Sequence, residues 1–257
     1  MAVHDPSLQQ DERRDTTLRD LRRSALLVLG GLVALAVPAY AGAVEFLDLG
    51  RPVAIVATAL LLAIFALVLR GLPAHGHDRF GPANAVTALR AVLVCLITAA
   101  VCLDALPQEG PAAWIMVALV VIALSLDGVD GLLARRLGQE SDLGARFDME
   151  VDALLILALS AAAFLLDKAG AWVLLIGLMR YGFVLAQYPL PQLALPLPPS
   201  FRRKLVCVVQ VGVLCLVLVP GLGAPLSTGL AALALALLAY SFAVDTLYLL
   251  RQPEARP

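Results

Sequence analysis

The chain is a succession of long apolar runs, at about 24–44, 52–70, 85–104, 112–134, 147–166, 170–188, 205–220 and 228–250, and no other feature narrows its possible folds so far. Roughly 20 helical residues cross ~30 Å of hydrocarbon, because each adds ~1.5 Å. Backbone polar groups in lipid must be satisfied within the segment, so runs of this length predict helices. They are too long for barrel strands and lack their alternation. With 61% hydrophobic and 15% charged residues among 257, the chain reads as an integral membrane protein. The expected fold is all-α, a polytopic transmembrane bundle of eight helices.

A formal net charge of −1 says little about partners, and no nucleic acid is expected. The placement of the basic residues says more. Arg13, Arg14, Arg19, Arg22 and Arg23 precede the first run, and Arg70, Arg79 and Arg90 flank the link between the second and third. Arg135, Arg136 and Arg146 follow the fourth run, Arg202, Arg203 and Lys204 the sixth, and Arg251 and Arg256 the eighth. The intervening links carry only Arg51 and Lys168. By the positive-inside rule, both termini and the link after the fourth run face the cytosol, and a bacterial cytoplasmic (inner) membrane is the expected location.

The runs divide into a hairpin and a six-helix unit. Residues 1–23 form a charged cytosolic tail, too polar for a cleaved signal. Residues 24–81 are a transmembrane hairpin with its linker, "RGLPAHGHDRFGP"; 82–250 are the six-helix transmembrane domain; 251–257 are a short cytosolic tail. His75 and His77 lie in the linker, where solvated side chains are expected. Cys95, Cys102, Cys207 and Cys215 have no metal-ligand spacing and read as buried small hydrophobes.

The chemistry is concentrated in "SLDGVDGLLARRLGQESDLGARFDMEVDALL". Asp127 and Asp130 are three residues apart, and Asp148 and Asp152 four, so each pair shares a helix face. About the link near Gln139 the two pairs are level on antiparallel helices, and the four carboxylates should converge. Each costs about 2.5–3.5 kcal/mol near a bilayer centre and they repel one another, so a counter-charge is required. Oxygen ligands without His or Cys select hard cations: Mg²⁺ or Mn²⁺, with room for two ions. Asp142, by contrast, reads as a helix-end residue. Gly128, Gly131, Ala134 and Gly144 leave space beside the acids for a ligand or another backbone.

The string D-G-x-x-A-R, eight residues, G-x-x-x-D-x-x-x-D, running from Asp130 to Asp152 with Asp127 before it, resembles the signature of the CDP-alcohol phosphatidyltransferases. Upstream, Asn84, Thr87 and Arg90 match that family's N-x-x-T-x-x-R opening of its first core helix. The resemblance covers about residues 82–250 and implies a six-helix catalytic core, to which the leading hairpin is an addition. It further implies transfer of a substituted phosphate from a CDP-alcohol, most simply CDP-diacylglycerol, to a polar alcohol with release of CMP, in phospholipid biosynthesis. Asp127, Asp130, Asp148 and Asp152 would hold the metals, and Asp152 would also act as general base. Gly131, Ala134, Arg135, Gly144, Asn84 and Thr87 would line the CDP pocket. In "RRKLVCVVQ", Lys204 and Gln210 fit a further family pattern while Arg203, Val206 and Cys207 depart from it.

Arg180 stands alone in an apolar run and is a candidate contact for a phosphorylated acceptor, as are Arg202, Arg203 and Lys204; snorkelling or ordinary positive-inside roles are the alternatives. Membrane lipids are the surroundings in any case, and a homodimer stays open. A UbiA-like prenyltransferase would place its two aspartate motifs on well-separated helices. A divalent-cation transporter would need acids along the whole path, and the mid-membrane and exterior halves of these helices carry no further acids.

Overall fold

The computed structural model of the chain describes residues 6–75, 77–138, 141–195, 197, 198 and 200–251; the side chains of residues 6–17, Ala74 and Lys204 lie outside the description. Among the described residues there are eight α-helices and no strand: α1 Pro6–Leu47, α2 Arg51–Gly71, α3 Pro82–Cys102, α4 Gly110–Leu137, α5 Asp142–Leu165, α6 Leu174–Ala186, α7 Phe201–Val217 and α8 Ala224–Leu250. Each expected run falls on its own helix. The polar tail is not separate: α1 carries its helical backbone straight into the first apolar run. Prolines open α2, α3 and α8 in the first turn, where their missing N–H has no intrahelical acceptor to lose.

Five helices, α1 over Leu18–Leu47, α2, α3, α4 and α8, are long and apolar enough to cross a membrane. The other three fall short for identifiable reasons. α5 has 24 residues but carries the acidic ones. α7 has 17, and α6 has 13 after a single 3₁₀ turn at Ala171–Val173. The run 170–188 is therefore shorter as a helix than as a sequence, because the chain beyond Gln187 enters a proline-rich segment that cannot continue it.

The chain divides into two compact units. The first comprises the described residues up to 105 and residues 119–152, so it holds α1, α2, α3 and the adjoining parts of α4 and α5. Here α3 is central: 72% of its span is buried, against 22–28% for the other four spans. Beyond Arg90 the helix is apolar on nearly every face, which suits such an interior. α2 buries the stripe Val53, Ala57, Leu61, Phe65 and Val68, and Tyr40 on α1 donates to the Val92 carbonyl on α3 at 2.6 Å. The second unit holds residues 106–118 and everything after 152. In it α7 packs along α8, and Ser227 and Thr228 at the start of α8 both donate to the Lys168 carbonyl in the link after α5.

The four cysteines do not all behave as buried hydrophobes. Cys95 is buried and Cys215 intermediate, but Cys102 and Cys207 are exposed. In lipid the outer face of a helix is as apolar as its interior, so a small hydrophobe gains little by facing inward.

Candidate active site

α3 brings Asn84, Thr87 and Arg90, at helical spacings of three, to one face, and all three are buried. Thr87 Oγ1 donates to Asp130 Oδ2 at 2.9 Å, and the Gly131 N–H donates to Asp130 Oδ1 at 2.7 Å. Both oxygens of Asp130, the one buried aspartate among the described residues, are thus satisfied, as burial requires. One turn further along α3, the guanidinium of Arg90 stands among all four carboxylates. Nη1 lies 2.5 Å from Asp127 Oδ1 and 3.5 Å from Asp130 Oδ2; Nη2 lies 2.6 Å from Asp148 Oδ1 and 3.1 Å from Asp152 Oδ1. The convergence expected from the spacing is therefore present, with an arginine at its centre.

The sequence put that arginine in the N-x-x-T-x-x-R pattern but gave no sign that it sits among the four acids. Five residues into the apolar run that begins at 85, Arg90 reads as a flank of the basic link. The usable signal was its spacing from Asn84 and Thr87, which puts it on the face that carries them toward α4 and α5.

Four carboxylates against one guanidinium leave three formal negative charges in the cluster. The surplus calls for a further cation. The donors fit one: Asp127, Asp148 and Asp152 each offer a carboxylate oxygen, and these lie within 4.8 Å of one another. An all-oxygen set of this kind suits a hard divalent ion.

Beside the cluster is a cavity of about 700 Å³. All six residues expected to line a nucleotide pocket border it: Asn84, Thr87, Gly131, Ala134, Arg135 and Gly144, together with Asp130 and Asp148. Two glycines there act by their size. A Cβ on Gly144 would sit 2.6 Å from Asn84 Oδ1, so α3 and α5 meet only because that position has none. A Cβ on Gly131 would meet Arg135 Nη1 at 3.2 Å, since Arg135 folds back over it. Gly128, by contrast, faces open space.

The model of the CDP-alcohol phosphatidyltransferase family matches residues 80–244, which includes every residue of this site on α3, α4 and α5. The chain belongs to the CDP-alcohol phosphatidyltransferase family. Neither the curated proteins nor the solved structures gave a match. Family membership makes the chain a membrane transferase of the CDP-alcohol phosphotransferase type, acting on a CDP-alcohol and an alcohol acceptor.

The remaining candidates are distributed less simply in this phosphatidyltransferase. Arg180 is half-buried on α6. Arg202 is committed to α8: it donates to the Ser241 carbonyl and hydroxyl, both at 2.7 Å, and to Asp245 Oδ1 at 2.6 Å. Arg203 lies 3.8 Å from the same carboxylate and donates to the Pro198 carbonyl. Lys204 has its side chain outside the described residues. His75, expected in solvent, is instead buried, with both ring nitrogens engaged. Burial holds its pKa below the ordinary 6.5, and neighbouring His77 adds to the lowering, while the bond to the Arg79 carbonyl opposes it.

Proposed function

We propose that the chain transfers a phosphatidyl group from CDP-diacylglycerol to a polar alcohol, with release of CMP, in phospholipid biosynthesis. One observation supports this above all: the six motif residues expected at the nucleotide border a single cavity that adjoins the aspartate cluster. Asp127, Asp130, Asp148 and Asp152 would hold two Mg²⁺ or Mn²⁺ ions. When bound, such ions offset the charge of the diphosphate and of the departing phosphate.

The chain's own groups account for the rest. Gly131 and Gly144 leave the space a nucleotide diphosphate needs, and Arg135 offers a planar, permanently charged fork toward its phosphates. Asn84 and Thr87 form the wall from α3. The acceptor hydroxyl attacks the phosphorus bearing diacylglycerol, the bond from that phosphorus to the bridging oxygen breaks, and CMP leaves with the electron pair. Asp152 receives the hydroxyl proton as general base. Arg90 keeps the acids on α4 and α5 in register throughout.

The basic links favour a cytosolic position for this end of α4 and α5, where CDP-linked donors are reached from water and lipid alike. For a phosphorylated acceptor the candidate contacts are Arg180, Arg202, Arg203 and Lys204, of which Arg202 and Arg203 are engaged by Asp245. Beyond Arg90 the buried length of α3 carries no acidic residue, which favours transfer over cation transport.

The test is direct. Purified protein in detergent is incubated with CDP-diacylglycerol and a panel of alcohols, and products are identified by mass spectrometry. CMP and one new phospholipid are expected, with Mg²⁺ or Mn²⁺ required. No CMP with any alcohol would overturn the donor assignment, and full turnover in EDTA would overturn the metals.

A further inference from the structure

The linker between α2 and α3 precedes the family match, which begins at residue 80, yet it reaches the cavity. His75 is 3% exposed. Its Nε2 lies 2.9 Å from the Arg79 carbonyl oxygen. A carbonyl only accepts, so Nε2 carries the proton and Nδ1 presents a lone pair. Ser141 Oγ, 2.9 Å from Nδ1, therefore donates to it, and the same oxygen accepts the Gly144 N–H at 3.0 Å.

Ser141 stands immediately before α5 and Gly144 three residues on, which is how a serine caps a helix. The cap is thus itself held from the linker. A second contact reinforces it: a Cβ on Gly71, the last residue of α2, would lie 2.6 Å from Leu143 Cδ1 in the first turn of α5. His75, His77, Ser141 and Gly144 all border the cavity.

We infer that the linker following the added hairpin builds one wall of the nucleotide cavity, with His75 a positioning residue that sets the first turn of α5 through Ser141. The inference rests on reading that cavity as the CDP pocket. Its energetic logic separates binding from chemistry. The first turn of α5 carries Gly144 at the cavity, whereas Asp148, one turn on, is independently pinned by Arg90. Loosening the cap should widen the nucleotide's seat and leave the carboxylates where they are.

Full-length protein in detergent is titrated with CMP in the presence of Mg²⁺ by calorimetry, and steady-state kinetics are measured alongside. His75→Ala should raise the CMP Kd and the donor KM about tenfold, with kcat and the acceptor KM within about twofold, the scale of one lost hydrogen-bond link. Ser141→Ala, which leaves the histidine in place, should match it, and the double variant should be no worse than either. Ser141→Asn should restore wild-type affinity, because its carboxamide both accepts from Gly144 and donates to His75; this pair carries the test if His75→Ala fails to fold. Wild-type CMP affinity in Ser141→Ala, a fall in kcat at unchanged affinity, or no rescue by Ser141→Asn would overturn the inference. A wild-type protein that binds no CMP would remove the pocket reading itself, and this inference with it.

Discussion

Arg90 reaches Asp148 twice, its Nη2 donating to the carboxylate Oδ1 at 2.6 Å and to the backbone carbonyl at 3.2 Å, while Nη1 serves Asp127 on the neighbouring helix. A lysine is a point charge and cannot span both helices. Arg90→Lys is expected to fold and to lose more than about tenfold of turnover. Arg90→Ala leaves the acids uncompensated and should cost roughly 3–5 kcal/mol, read as thermal unfolding in detergent. Wild-type turnover in the lysine variant would show that bridging is dispensable.

Asp152→Asn keeps the shape of the side chain and removes its basicity. Turnover should fall about 10²- to 10⁴-fold, the usual contribution of a general base, with CMP affinity retained. Asp127→Ala and Asp148→Ala should instead lose divalent-ion binding, measured by Mn²⁺ electron paramagnetic resonance. An Asp152→Asn protein that turns over normally would assign the proton to another group.

The glycines give a paired expectation. Gly144→Ala places a methyl group 2.6 Å from Asn84 Oδ1 and 3.1 Å from Ser141 Oγ, and should lower both stability and CMP affinity. Gly128→Ala meets nothing within 4 Å and should leave thermal stability unchanged or slightly higher, since alanine is the better helix former. Equal behaviour of the two would contradict the close approach of α3 and α5.

His75 supplies a pH dependence with a definite sign. Its folded pKa lies below the ordinary 6.5, so between the two values the unfolded chain holds the extra proton. Stability from this group is complete above 6.5 and is lost as pH falls through that window. The groups facing the ring are His77, at 5.5 Å between ring centroids, the Arg79 carbonyl and the Ser141 hydroxyl. Thermal unfolding followed from about pH 8 to about pH 5.5 should show a decline that His75→Gln reduces, the glutamine having no proton to gain. An unchanged decline in that variant would place the effect elsewhere.

Orientation is tested by single cysteines in a background lacking the native four. Those at Gln139 and Ser200 should be blocked only from the cytosol, and one at Gln108 only from outside. Labelling of Gln139 from outside would invert the proposed topology.

Much of this was legible in the sequence because its signals are local. Apolar runs of 20 residues announce helices, and the spacing of Asp127, Asp130, Asp148 and Asp152 announces a shared face. What was not legible depends on contacts distant along the chain. His75 meets Ser141 across 66 residues, so a linker histidine gave no sign of burial. Arg90 looked like a topological marker because its partners lie 37 and 58 residues downstream. Arg202 and Arg203 looked available until Asp245, another 43 residues on from Arg202, was seen to engage them.

The order of synthesis gives the Tyr40–Val92 contact a further meaning. Asp127, the first of its acidic partners, follows Arg90 by 37 residues, an interval of about 2–7 s at ordinary elongation rates. For that interval α3 holds a guanidinium with none of its four acids yet made. α1 and α2 precede α3 in the order of synthesis, and in the folded chain Tyr40 donates to the Val92 carbonyl, two residues past Arg90. The hairpin that precedes the family match is therefore made before the charged helix that packs against it.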